Sequence, residues 1–225
     1  LKAIKIFINY KNNNNNNIGL HEPYFSGTNA WKYLQDCLES GWVSSAGSWI
    51  GKFEKAICDF TGAEYGIAVT NGTVGLRLAL YCIGVKQNDE VIIPPLSFVA
   101  TANAVSHLGA IPHFVDIDKY NLGLCPKKLQ KRLELIARKK NGEVYNVETG
   151  RRIKAILPVH VFGMPANIIE IKRIADYWNL PLIEDAAEAL GSRNIWKGKY
   201  IHCGLSGDIG VISFKRVTSH VGQTT

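Results

Sequence analysis

The stretch PLIEDAAEAL, residues 181–190, places Glu184, Asp185 and Glu188 at what reads as the end of an apolar β-strand. An unpaired buried charge is costly, so a carboxylate pair at such a strand end implies a cationic group facing it. One group that fits is a protonated ring nitrogen, held by a charge-assisted hydrogen bond that strengthens where water is excluded. If a helix follows the strand, Glu188 lies one turn beyond Asp185 and faces the same ligand. The competing reading is that both acids cap a helix N-terminus and complement its dipole.

Four further residues carry compatible chemistry. In TNGTVGL, residues 70–76, an Asn-Gly turn opens a helix with Thr73 near its cap. Free backbone N–H groups, the helix dipole and the Thr hydroxyl together make a phosphate cradle, although a simply capped helix has the same pattern. PPLSFVATANA, residues 94–104, puts Phe98 at the first turn of a helix, either as core or as a ring stacked on a flat heteroaromatic ligand. His160 follows ILPV and could face the ligand, yet taken alone it reads as a satisfied core histidine. Ser213 ends the last apolar strand, DIGVISF, and can add a hydroxyl to a phosphate site. A phosphate cradle, an aromatic platform and a ring-nitrogen carboxylate together describe pyridoxal 5′-phosphate (PLP). The positive group facing Asp185 is then its pyridinium nitrogen.

These residues need elements to position them, and the chain supplies an alternating series. Strands are expected in YGIAVT (65–70), EVIIPP (90–95), IPHFVDI (111–117), IKAILPVHVFG (153–163, with its loop), PLIED (181–185) and DIGVISF (208–214). Helices are expected in TVGLRLALYCIG (73–84), SFVATANAVSHLG (97–109), PKKLQKRLELIARKK (126–140) and NIIEIKRIADYWN (167–179). Strands apolar throughout, alternating with amphipathic helices, predict a three-layer α/β/α fold with a mainly parallel sheet. Ligands in such sheets bind at the carboxyl ends of the strands, where all six candidate groups fall. Two more helices, NAWKYLQDCLES (29–40) and SWIGKFEKAICDF (48–60), make an N-terminal helical segment over residues 18–60. Residues 1–17 contain an Asn tract and read as a disordered leader, leaving 61–225 as the cofactor-binding large domain.

Composition narrows the function classes. At 225 residues and 46% hydrophobic content the chain can bury a sizeable core. The net charge of +7 suggests an anionic partner, but the densest basic run, Lys127 to Lys140, has helical spacing. Leu129, Leu133, Ile136 and Ala137 share one face and the bases the other, which reads as a solvated helix and not a nucleic-acid surface. Five widely spaced cysteines without a CxxC pair argue for reduced thiols in a cytoplasmic protein, with no metal site. No apolar stretch approaches the ~20 residues of a membrane span. No GxGxxG follows a strand and no Walker motif occurs, which disfavours an ordinary nucleotide-binding domain.

The chain resembles the DegT/DnrJ/StrS-type sugar-nucleotide aminotransferases, PLP enzymes of fold type I. The collinear stretches EPYFSG (22–27), SGWVSSAGSWIGKFE (40–54), AVTNGTVGLRLAL (68–80), VIIPPLSFVATANAV (91–105), GAIPHFVDID (109–118), PVHVFGMPANI (158–168), IEDAAEALGS (183–192) and GDIGVISF (207–214) carry the resemblance. It implies that Thr73, the Val74 backbone and Ser213 hold the phosphate and Phe98 stacks on the ring. It further implies that Asp185 pairs with the ring nitrogen and Glu188, where many relatives carry Gln or His, sits near the phenolic oxygen. The implied reaction aminates a nucleotide-linked keto sugar, with glutamate as amino donor, in surface-polysaccharide or amino-sugar biosynthesis. SGWVSSAG is most similar to members acting on 4-keto sugars. The resemblance also implies a homodimer that builds each site from both subunits.

One departure bears on catalysis. Relatives follow the last strand with a stretch similar to Ser-Phe-Asn-Gly-Asn-Lys, whose lysine forms a Schiff base with the cofactor. Here the chain reads SFKRVTSHVGQTT, with Thr218 at that position. Lys215 is the nearest amine, three residues early and so displaced by ~10 Å of extended chain. The codons for residues 216–219 can spell Gly-Asn-Lys in a shifted frame, so a frameshift after Phe214 is expected, with a C-terminal small domain absent. The alternative to an active enzyme is accordingly a truncated, non-catalytic remnant that binds PLP without turnover.

Overall fold

The computed structural model describes residues 27–44 and 46–214. The expected leader, EPYFSG up to Ser26, Lys215 and Thr218 lie outside them. Six helices are described: α1 (Ala30–Ser40), α2 (Ser48–Thr61), α3 (Gly72–Cys82), α4 (Val99–Ser106), α5 (Pro126–Ile136) and α6 (Ile168–Trp178). Nine strands accompany them: β1 (Glu90–Ile93), β2 (Ile111–Phe114), β3 (Ala137–Lys140), β4 (Glu143–Asn146), β5 (Arg152–Ile156), β6 (Ile183–Asp185), β7 (Arg193–Trp196), β8 (Lys199–His202) and β9 (Ile209–Val211).

The main sheet runs β2-β1-β5-β4-β3. Strands β2, β1 and β5 are parallel, whereas β3, β4 and β5 pair antiparallel. The parallel pair β6-β9 continues the sheet beyond β5 through bridges Ile156↔Leu182 and Val159↔Asp185. The parallel part thus reads β2-β1-β5-β6-β9, as apolar strands joined by helical crossovers require.

Strand alternation feeds two cores. Val91, Ile93, Ala155, Leu157, Ile183 and Val211 pack with Leu76 and Leu80 of α3 and Ala104 and Val105 of α4. Ile92, Ile156 and Leu182 point the other way, against Leu129 and Leu133 of α5 and Ile168 and Ile171 of α6. This is the expected three-layer α/β/α arrangement. One consequence matters for function: Asp185 shares its face with Ile183, and Glu184 shares its face with Leu182.

Two expectations are corrected, and one element is added. The basic segment 126–140 is not one helix, because α5 stops at Ile136 and Ala137–Lys140 turns into β3. Asn141 and Gly142, at φ 51° and 80°, make the Asn-Gly hairpin turn that sends β4 back along β3. The buried face was read correctly, since Leu129, Leu133, Ile136 and Ala137 are all buried. Residues 65–70 form no strand: Ala68 donates its N–H to Glu54 Oε1 at 2.7 Å, and Tyr65 and Ile67 are exposed. A strand exists only with a ladder partner, which a favourable sequence does not supply. The hairpin β7-β8, closed by Lys197 and Gly198 at positive φ, was unforeseen.

Candidate functional site

The predicted residues among those described lie at the end of β6, in the segments that follow the parallel strands β1, β5, β6 and β9, and at the start of α3. Asp185 closes β6, buried, with its backbone N–H on Pro158 O at 2.9 Å and its carbonyl accepting the His160 N–H at 3.0 Å. Its Oδ2 accepts the Thr101 hydroxyl at 2.7 Å and its Oδ1 the Ala187 N–H at 3.2 Å. Burial raises the Asp185 pKa above the ordinary carboxylate value; the Thr101 and Ala187 donors and His160 oppose that rise, and Glu188 adds to it. A carboxyl in this state gains from a cationic partner.

Phe98 is the N-cap residue of α4, one turn before Thr101. The residue is 67% exposed, which removes the core reading. The neighbouring helix α3 begins at Gly72 with Asn71 as its cap, which puts Thr73 two residues past the cap. Asn71 Oδ1 accepts the Val74 N–H at 3.0 Å, so an anion must compete with the cap for that donor, whereas Gly72 and Thr73 lead the helix with first-turn N–H groups that no intrahelical acceptor takes. Ser213 lies two residues past β9 and crosses this helix start closely: a Cβ on Gly72 would come within 3.2 Å of Ser213 Oγ. Gly75, one turn on, lets α3 approach β9, since a Cβ there would lie 2.9 Å from Val211 Cγ1.

Glu188 is placed differently from the expectation. No helix follows β6; residues 186–192 form turns closed by Ala189 N–H to Ala186 O and Ser192 N–H to Ala189 O. The capping role considered for Asp185 and Glu188 therefore has no helix to act on. Glu188 Oε2 instead accepts the Phe162 N–H at 2.7 Å, holding a residue at φ 54°. Phe162 is 72% exposed and stands at the rim after β5.

His160 is the satisfied core histidine. It is fully buried, and its Nδ1 accepts the Ala166 N–H at 3.0 Å, so Nε2 carries the proton and donates to Glu184 Oε2 at 2.8 Å. Glu184 also accepts N–H groups from Gly204 (3.0 Å), Ser206 (2.6 Å) and Gly207 (2.6 Å). Burial pushes the Glu184 pKa up, but His160 and these backbone donors outweigh it and hold it below the ordinary value. Sequence reasoning grouped Glu184 with Asp185 and missed Thr101. The signal for Thr101 was its spacing from Phe98 on one helix.

The donor set fits PLP. A buried carboxylate with one lightly engaged oxygen suits a ring nitrogen, the uncovered Phe98 ring suits its face, and the α3 start with Ser213 suits a phosphate. An open cleft of about 530 Å³, lined in part by Lys154, Lys172, Pro181 and Asp208, lies at the opposite, amino-terminal edge and contains none of these residues. Among the described residues no cluster of His, Cys, Asp or Glu could hold a metal ion, and no helix is long and apolar enough to cross a membrane.

Comparison with known proteins bears on the same region. The sequence profile described as the DegT/DnrJ/EryC1/StrS aminotransferase family matches residues 26–219. The chain is 36% identical to the GDP-perosamine synthase of Escherichia coli O157:H7 over 208 residues, 91% of this chain and 51% of that protein. It is 37% identical to the GDP-perosamine synthase of Vibrio cholerae over the same coverage. Among solved structures, the aminotransferase TlmJ from Streptoalloteichus hindustanus superposes with a TM-score of 0.72 at 28% identity, covering 89% of this chain and 49% of that one. The chain thus spans about half the length of the curated relatives it matches.

Proposed function

Because the chain belongs to the DegT/DnrJ/EryC1/StrS aminotransferase family, whose members depend on PLP, we propose that it is the cofactor-binding part of an aminotransferase acting on a nucleotide-linked keto sugar. Glutamate is the proposed amino donor, and a GDP-linked 4-keto sugar the proposed acceptor, on the likeness to GDP-perosamine synthases. The proposed setting is the cytoplasm, in surface-polysaccharide or amino-sugar biosynthesis. The observation that carries this reading is the buried Asp185 carboxylate bonded to Thr101, one helical turn from the exposed Phe98 on the same helix.

When bound, PLP supplies an electrophilic carbonyl and an electron sink for moving an amino group. The chain's own groups do the rest. Asp185 would hold the ring-nitrogen proton through Oδ1, which would favour the electron-poor ring. Phe98 would pack on the ring, and Gly72, Thr73 and Ser213 would hold the phosphate with backbone N–H and hydroxyl donors. Glu188, already accepting from Phe162 N–H, fixes the loop after β5 at the rim. A homodimer is also proposed, since Trp31, Leu34 and Leu38 of α1 and Phe53 of α2 leave an apolar surface exposed.

Thr218, at the position where the resemblance expects a lysine, favours a second reading: PLP binding without turnover. Equilibrium dialysis against PLP, followed by a glutamate-dependent amination assay with a GDP-linked keto sugar, separates the two. Binding with turnover supports the enzyme, binding alone supports the second reading, and absence of binding overturns both.

A further inference from the structure

We propose that Thr101 is a positioning residue for Asp185: its hydroxyl fixes Oδ2 so that Oδ1 is the oxygen presented to the cofactor's ring nitrogen. The inference rests on the proposed PLP site and specifies how that site is oriented. Thr101 is fully buried in α4, and its hydroxyl reaches across to the end of β6, 84 residues away in sequence, at 2.7 Å. Within a helix, a threonine hydroxyl ordinarily bonds back to the carbonyl of the preceding turn, and here it does not. An ionised carboxylate is acceptor-only, so the hydroxyl must donate. Among the described residues the other oxygen meets only the longer Ala187 contact of 3.2 Å, so there the two oxygens are inequivalent.

The same helix starts with Phe98, whose carbonyl accepts the Thr101 N–H at 3.1 Å. Three residues of helix rise separate the two by about 4.5 Å along the axis, so α4 sets the height of the ring platform relative to the latched carboxylate. Preorganising the carboxylate removes a rotational freedom that ligand binding would otherwise have to quench. A hydroxyl serving only the fold would support every ligand of the cleft alike. One serving the nitrogen contact supports only ligands that have the nitrogen.

The test uses the full chain and two probes, PLP and its 1-deaza analogue, which carries carbon in place of the ring nitrogen, with binding read by quenching of tryptophan fluorescence. In T101V, PLP affinity is expected to fall about tenfold, the loss of one hydrogen bond to a charged group, while the deaza analogue changes less than about twofold. T101S keeps the hydroxyl and is expected to stay within about threefold of the parent for both probes. Should T101V not fold, T101A carries the same two-probe comparison. An equal loss for both probes, or an unchanged PLP affinity, overturns the role of Thr101 while leaving the PLP site standing. Failure of the parent chain to bind PLP overturns the site and this role together.

Discussion

Glu184 and Asp185 are adjacent, both buried, both carboxylates, and the pleat of β6 turns them to opposite layers of the sheet. Glu184 enters the layer of α5 and α6 and collects four donors, from His160 and the 204–207 loop. Asp185 enters the layer of α3 and α4 and collects two, one of them long. Their pKa values move in opposite directions, Glu184 below and Asp185 above the ordinary value. The lesson is that burial alone does not identify a functional acid. The saturated carboxylate is part of the scaffold, and the under-coordinated one is where a ligand gains most.

The largest effect is expected from Glu184→Gln. Its amide nitrogen would face N–H donors, leaving at least one of them and His160 poorly matched in a buried site. Urea unfolding at neutral pH should show a loss of about 2–3 kcal/mol, the cost of leaving buried donors unmatched. A loss under about 1 kcal/mol would break the assignment of Glu184 to the scaffold.

Asp185→Asn should do the opposite. The side-chain carbonyl can still accept from Thr101, the amide nitrogen forfeits just the long Ala187 contact, and the cost of burying a charge disappears. Stability should hold or rise by up to about 1 kcal/mol, while PLP affinity falls about tenfold or more. A variant that loses stability as Glu184→Gln does would erase the contrast.

Acid titration sharpens the comparison. The folded-state pKa of Glu184 is depressed, so its stabilisation is present above the unfolded value of about 4.3 and is lost as pH falls through the folded one. The folded-state pKa of Asp185 is raised, so its penalty is present above the folded pKa and is relieved as pH falls from there toward about 3.9. The stability gap between parent and Glu184→Gln should therefore close only below about pH 4.3, and that between parent and Asp185→Asn should begin to close at higher pH. Urea midpoints of the three chains across this range measure both.

The smallest effect on stability belongs to Phe98→Ala. The ring is exposed, so unfolding should change by no more than about 0.5 kcal/mol. PLP affinity should still fall about three- to tenfold, the worth of one stacked aromatic pair. Loss of stability without loss of affinity would return Phe98 to the core.

Much of this arrangement is legible in the residues. A strand buried on both faces, such as Glu90–Ile93 with its Val-Ile-Ile run, can be accommodated only between two helical layers, and the spacing of Leu129, Leu133 and Ile136 identifies the buried face of α5. What failed were statements about boundaries and partners. The basic run was extended through Lys140 because charged residues satisfy helix and hairpin equally, and the Asn141-Gly142 turn decides between them. Tyr65–Thr70 has strand composition and no ladder. Phe98 belongs to a residue type that is usually buried, and only the surrounding packing shows that nothing covers it.

By itself, then, the sequence determined the alternation of apolar strands and amphipathic helices, and with it the sheet edge where Thr73, Phe98, Asp185, Glu188 and Ser213 collect. Local periodicity is enough for that, because it dictates which faces must leave water. Only the tertiary structure decided that Thr101 latches Asp185, that Asn71 caps α3, and that Glu184 belongs to His160 and the 204–207 loop. Those outcomes depend on which donor arrives within about 3 Å of which acceptor, and residues far apart in sequence meet at that distance only once the layers have packed.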